Sequence, residues 1–183
     1  MAIAHRTIYK NVAAALNLQT KDDYLEVGCG SGVFMKLYAS HVHSVAGLDH
    51  SEDMVKLSTR YNQNRVDEGT AEFRHGDASE VPWEDEKFSA AAAIATFMFW
   101  PNSLGSLKEI HRVLRPGGRL VISLGWNADD GIDHTKHIKE CDIRLYTGKE
   151  VQAMFKEAGF SENFITYSKG FGMPRIMIAS AVK

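Results

Sequence analysis

Apolar residues along the 183-residue chain switch repeatedly between helical and strand spacing, and the switching outlines a fold. The spacing predicts a short amphipathic helix over 11–18. Tyr24-Leu25-Glu26-Val27 then reads as a strand running into Gly28-Cys29-Gly30-Ser31-Gly32, with a helix over 33–40. A second strand over 44–48 ends at Asp49, and Ser51 stands as the N-cap of a helix whose apolar positions are Met54, Val55 and Leu57. A third strand, 71–75, closes on Gly76-Asp77. Residues 88–95 are apolar on both faces, as a central parallel strand should be. Leu104, Leu107, Ile110, Val113 and Leu114 recur at helical spacing until Pro116-Gly117-Gly118 stops that helix. A fifth strand is expected at 119–124, an irregular polar stretch at 126–146, and a helix opened by a Thr147/Glu150 capping box and ending near Gly159. Strands at 164–169 and 175–182 close the chain as a pair. Strands and helices that alternate in this way predict an α/β layered fold with a mainly parallel sheet.

Composition narrows the class. No repeat, low-complexity tract or linker divides the chain, and a length of 183 residues fits one domain, 1–183, able to bury roughly 70% of its unfolded surface. A 44% hydrophobic content excludes disorder. A net charge of -2 provides no footprint for a polyanion, so nucleic acid is not an expected partner. The longest apolar run, 90–100, is about half the ~20 residues of a membrane helix, so no membrane association is expected. Cys29 and Cys141 read as reduced thiols, and the first residues lack a secretory apolar region; a cytoplasmic location is expected.

The candidate chemistry starts at the glycine loop. Glycines after a strand allow a tight turn and a close ligand approach, and the next helix presents unpaired N–H groups. Taken alone, such a loop is also a plain strand–helix turn. Asp49 changes the balance: it ends the second strand about 20 residues on, where a Rossmann-like fold places a ribose-binding carboxylate. Its structural alternative is a turn aspartate ahead of Ser51. Dinucleotide loops require Gly or Ala at the sixth position of Gly-x-Gly-x-x-Gly, which here is Val33. That departure weakens an oxidoreductase reading.

Four segments in order, Leu25 to Gly32, Gly47-Leu48-Asp49-His50-Ser51, Gly76-Asp77-Ala78 and Leu107 through Gly118, resemble successive motifs of class I S-adenosylmethionine-dependent methyltransferases. The resemblance covers about 20–183 and is nearest the small-molecule branch that includes quinone-biosynthesis C-methyltransferases. It implies a Rossmann-like three-layer sandwich whose seven-stranded, mainly parallel sheet has an antiparallel last strand. It further implies S-adenosyl-L-methionine as cofactor and a small-molecule acceptor. By position, Gly28, Gly30 and Gly32 would shape the pocket for the methionine part, with Glu26 beneath the loop. Asp49, followed by His50, would hold the ribose hydroxyls. Asp77 and Ala78 would meet the adenine, and Ala95 and Thr96 would lie beside the methionine chain. Cys29 reads as a small filler rather than a nucleophile.

Chemistry at a sulfonium centre needs orientation more than a catalytic side chain. Phe97, Phe99, Trp100 and Trp126 are the expected acceptor-side wall. His134, His137 and Tyr9 are the candidates for a base, if one is used. An N-terminal helix or lid, 1–20, carrying His5 and Tyr9 would close over the cofactor, and 126–146 would be a substrate-side insert. His134, His137 and Cys141 would share a helical face, but no flanking ligand run supports a metal, and none is expected. His41 and His43 read as surface residues, and Arg112, Arg115 and Arg119 as a solvated helix end. Residues 95–98 lack the Asn/Asp-Pro-Pro-aromatic motif of amino-methylating DNA enzymes, and neither cysteine follows a proline as cytosine C5 chemistry requires. The short N-terminal region leaves both a monomer and a homodimer open.

Overall fold

The computed structural model describes residues 3–170 and 173–183, with side chains for 6–169 and 175–183; the side chain of His5 therefore lies outside the described residues. Strands β1 Asp23–Val27, β2 Ser44–Asp49, β3 Ala71–His75, β4 Phe88–Ile94, β5 Leu114–Leu124, β6 Glu162–Gly170 and β7 Met173–Val182 form one sheet. Their order is β3-β2-β1-β4-β5-β7-β6. The first five run parallel, and β7 slots between β5 and β6, antiparallel to both. This is the Rossmann-like architecture expected above.

Helices α1 Ile3–Leu16, α2 Val33–Tyr38, α3 Glu52–Tyr61, α4 Gln63–Asp67, α5 Ser103–Val113, α6 Thr135–Cys141 and α7 Gly148–Glu157 complete the chain. Side chains alternate across each strand, so the sheet feeds two cores. Leu25 and Val27 of β1 join Leu107, Ile110 and Phe155 on one face. Tyr24 turns to the other face, with Ile8, Val12, Leu16 and Phe34. The run Ala90 to Ala93 in β4 is fully buried, and its small side chains let layers pack closely on both faces.

The structure corrects several sequence expectations. Helix α1 starts at Ile3 rather than at 11, because Ile8, Val12 and Leu16 bury one stripe along its length. The segment 126–146 is not wholly irregular, since α6 lies within it. Leu57 is exposed, whereas Ser58 is the buried position of α3. Helix α5 ends at Val113, and Pro116-Gly117-Gly118 belongs to an extended start of β5. There the Gly117 N–H donates to the Lys183 carbonyl and the Lys183 N–H to the Gly118 carbonyl, each at 2.9 Å. The three arginines form no solvated helix end. Arg112 ties Glu109, Asp85 and two loop carbonyls together, Arg115 pairs with Asp23, and Arg119 pairs with Asp22 while capping the carbonyls that end α1. The Ser51 cap and the Thr147/Glu150 capping box form as read. No helix among the described residues is long and apolar enough to cross a membrane.

Candidate active site: a cleft beyond the ends of β1, β2 and β4

Parallel strands end together at one edge of the sheet, and there the loops part to leave a crevice. The crevice is a cleft of about 460 Å³ lined by Val27, Gly28, Leu48, Asp49, His50, Gly76, Asp77, Ala78, Thr96, Phe99, Trp100 and Pro101. That volume suits a small organic ligand.

One wall is main chain. The Gly28 and Cys29 N–H groups donate to the Leu48 carbonyl at 2.7 and 3.1 Å, so the glycine turn is laced to the end of β2. Asp49 finishes the lacing: Oδ2 accepts from the Gly30 N–H at 2.8 Å and Oδ1 from the Ser51 N–H at 3.0 Å. A carboxylate offers about four lone-pair directions, so acceptor capacity remains for a ligand. Gly28 has φ +75°, and a Cβ there would come within 2.7 Å of the Thr96 Cβ. Thr96 follows Ala95, which holds φ 55° while its N–H donates to the Ser123 carbonyl at 3.0 Å. A non-glycine residue in that region stores backbone strain, a common feature of functional rims. The carboxyl of Asp77 lies below its usual range because Ser79 donates to it from both its hydroxyl, at 2.6 Å, and its amide, at 2.7 Å.

Several expected site residues sit elsewhere. Gly30 and Gly32 flank the turn outside the cleft lining; at Gly30 a Cβ would meet nothing within 4 Å, whereas at Gly32 it would strike Asn62 Nδ2 at 2.6 Å. Gly32 thus lets the turn pack against the end of α3. Glu26 and Ala95 lie behind the lining. The Glu26 Oε2 atom is buried without a hydrogen-bond partner, and its carboxyl is pushed well above the usual range by burial, reinforced by the Asp49 carboxylate. Burial also raises the Cys29 thiol, which keeps it protonated, as a filler should be.

The aromatic wall divides. Phe99 is half exposed and, with Trp100, faces the cleft, but Phe97 is fully buried, packed 5.0 Å from Tyr146 and 5.1 Å from Trp100 between ring centroids. Phe97 is therefore a core residue and no part of an acceptor wall: the short 3-10 turn Phe97–Phe99 rotates successive side chains in different directions. Trp126 lies off the cleft, its ring tilted against that of His137 with centroids 4.4 Å apart. The base candidates also lie off it. His134 is buried and bonded through Nε2 to Asp130 at 2.7 Å, and Tyr9 packs edge-on against Phe34 at 5.4 Å. The Tyr9 hydroxyl is pushed up to about 12, by burial first and then by Glu26, so it is a poor base. No metal-binding group of three ligands occurs among the described residues. Sequence reasoning did not single out Val27, Leu48 and Pro101; the first two could have been found as the last apolar residues before Gly28 and Asp49.

The methyltransferase domain family matches residues 25–122, more than half of the chain. The chain belongs to this family. Among curated relatives, demethylmenaquinone methyltransferase of Staphylococcus saprophyticus is 32% identical over 120 residues, covering 64% of this chain and 50% of the relative. The chloroplastic 2-phytyl-1,4-beta-naphthoquinone methyltransferase of Arabidopsis thaliana is 30% identical, covering 88% of this chain and 73% of the relative. The chain spans about half the length of the first curated relatives it matches. Among solved structures, Haemonchus contortus phosphoethanolamine N-methyltransferase 2 in complex with S-adenosyl-L-methionine superposes with a TM-score of 0.83 over 97% of this chain and 52% of that one, at 15% identity. Fold and family together define a class I methyltransferase domain whose cofactor is S-adenosylmethionine. The cleft fits that cofactor on its own evidence: a glycine turn open at Gly30, a carboxylate with spare lone pairs at Asp49, and an unpartnered buried carboxyl, Glu26, beneath the turn.

Proposed function

We propose that this chain transfers the methyl group of S-adenosylmethionine to a small-molecule acceptor, with the cofactor held along the rim from Gly28 to Ala78. The observation that carries this reading is the convergence of Gly28, Asp49, Asp77 and Thr96 on one cleft. The bound cofactor supplies a sulfonium-activated methyl and its own leaving group. Asp49 is the ribose acceptor in this reading, already oriented by two amides, and His50 flanks it at 3.6 Å. Asp77, ionised and steadied by Ser79, accepts from the adenine amino group, with the Ala78 N–H beside it. Gly28 and Thr96 bound the methionine end, and Ala95 sets the direction of Thr96.

Phe99, Trp100 and Pro101 form an apolar wall on the acceptor side, which supports a flat, weakly charged acceptor like the quinones in the relatives' names. The chain's work is then to hold two reactants in line and keep water out, an effect that can reach ~7–11 kcal/mol. No base is assigned, because His134, His137 and Tyr9 lie away from the cleft lining. We read 1–183 as a single domain with 126–146 as the acceptor-side insert; helix α1, whose Ile8, Val12 and Leu16 are buried in the core, is a packed element rather than the lid expected at 1–20. Two free thiols, one buried and one exposed, support a cytoplasmic setting, and the protein is read as a monomer or homodimer.

Calorimetry with S-adenosylhomocysteine and with NAD tests the cofactor. Binding of the first alone is expected, and binding of NAD alone would end this reading. Incubation of labelled cofactor with a metabolite extract tests the transfer; label is expected in a small apolar product, and cofactor binding without any transfer would make the protein a non-catalytic member of its family.

A further inference from the structure

The outer strands of an open sheet present unpaired N–H and C=O groups, and proteins blunt them with short length, charge or a covering loop. The two edges of this sheet, β3 and β6, are treated differently. β3 is only five residues long, and its Glu72 and Arg74 side chains pair with each other at 2.9 Å. The next loop folds back on them: Trp83 Nε1 donates to Glu72 at 2.5 Å, and Arg74 donates to the Pro82 carbonyl. β6 runs for nine residues without a proline and carries charge only near its ends, at Glu162 and Lys169. The residues between them are uncharged and include Phe164, Ile165, Thr166 and Tyr167, all strand formers. Ile165 and Tyr167 pack on the core that holds Val151 and Phe155 of α7. Phe164 points to the opposite face, where α1 meets the strand further on, with Asn11 Nδ2 donating to the Ser168 hydroxyl at 2.6 Å. Phe164 is 60% exposed, more than any other large apolar side chain among the described residues. Among those residues, no segment other than β7 hydrogen-bonds to the main chain of 162–169.

We propose that the β6 edge receives the β6 edge of a second copy of this chain, antiparallel across a two-fold axis, so that two seven-stranded sheets become one. The strand's own charges name the occupant. A two-fold axis through the sheet reverses the second β6, and the Glu162 end of each strand then meets the Lys169 end of the other, opposite charges at both ends. Parallel addition would set Glu162 against Glu162 and Lys169 against Lys169. With the axis at Ile165, Phe164 stands opposite Thr166 of the second copy, an aromatic–β-branched cross-strand pair, and the two Phe164 rings lie diagonally across the axis. Main-chain hydrogen bonds between the strands supply the affinity. Because β3 is blunted, assembly stops at two copies. β5 and β7 lie between β6 and β4, the nearest strand of the cleft, so both clefts stay open and the proposal stands apart from the cofactor reading.

Sedimentation velocity across the micromolar range tests the proposal. The parent protein is expected to move from the mass of one chain towards that of two as concentration rises, and no further. A protein that stays monomeric, or that grows beyond two chains, would overturn the proposal. Phe164→Lys installs on β6 the kind of charge that blunts natural edges, so it should abolish the dimer with an unchanged far-ultraviolet circular dichroism spectrum. A dimer that persists in Phe164→Lys uses another face and overturns the proposal as well. Glu162→Lys should raise the dimer dissociation constant by about 3- to 30-fold, because both symmetry-related ends now set like charge against Lys169. Adding Lys169→Glu to that variant should restore the parent value. A double variant that associates no more tightly than Glu162→Lys alone would overturn the antiparallel arrangement.

Discussion

Beyond β1 and β2 the cleft is built from main chain: Asp49 accepts from the Gly30 and Ser51 amides, and the Leu48 carbonyl accepts from Gly28 and Cys29. Beyond β4 it is built largely from aromatic side chains, and residues close in sequence part company there. Phe97 enters the core, Phe99 faces the cleft, and Trp126 packs at a tilt against His137 away from it. The first half holds its groups by hydrogen bonds whose partners are set by strand register. The second half holds them by whatever packing its rings find. A ligand part that every family member shares can be bound by the first kind of wall, whereas the second kind is free to vary with the acceptor.

The sharpest way to break this contrast is at Phe97. Phe97→Ala should lose ~3–5 kcal/mol of stability by denaturant titration, as a buried aromatic does; a loss under about 1 kcal/mol would return Phe97 to the cleft wall. Gly28→Ala comes next. Left-handed strain and the collision with Thr96 together should cost about 2–5 kcal/mol, with loss of S-adenosylhomocysteine binding. Gly30→Ala, with open space around its Cβ, should cost clearly less, and equal losses would show that backbone strain alone decides.

Asp49→Ala should weaken S-adenosylhomocysteine binding by ~10- to 100-fold, the loss of a charge-assisted interaction. Unchanged affinity would show that the ribose is held elsewhere. Glu26 has its own pH signature in stability. Its folded titration point lies above the unfolded one, so the native state binds more protons between them, and stability falls as pH rises through that window, at up to ~1.4 kcal/mol per unit. Glu26→Gln should flatten that fall in thermal scans; a parent-like slope would assign it to another group. The smallest effect is expected at Phe99, where replacement by Ala should leave stability within about 0.5 kcal/mol while altering acceptor affinity. A large stability loss there would make Phe99 a second Phe97.

Much of the main-chain half of the cleft was legible in the chain. Glycines after Val27, a carboxylate closing the second strand and Gly76-Asp77-Ala78 after the third all follow from strand ends, and parallel strands deliver their ends to one edge. The aromatic half was less legible because a 3-10 turn and a short helix fix side-chain direction only through their neighbours. That is why Phe97 read as wall, Trp126 as lining, and His134 and His137 as bases near the chemistry.

Periodicity and turn residues in the sequence alone determined the layered α/β architecture, the glycine turn and the strand-end carboxylates, since these depend on local conformation repeated along the chain. Tertiary structure decided the rest: which aromatic faces the cleft, that His134 is spoken for by Asp130, and that Glu26 lies buried without a cation. Burial and the company of distant residues set those outcomes, and neither is written at any single position in the chain.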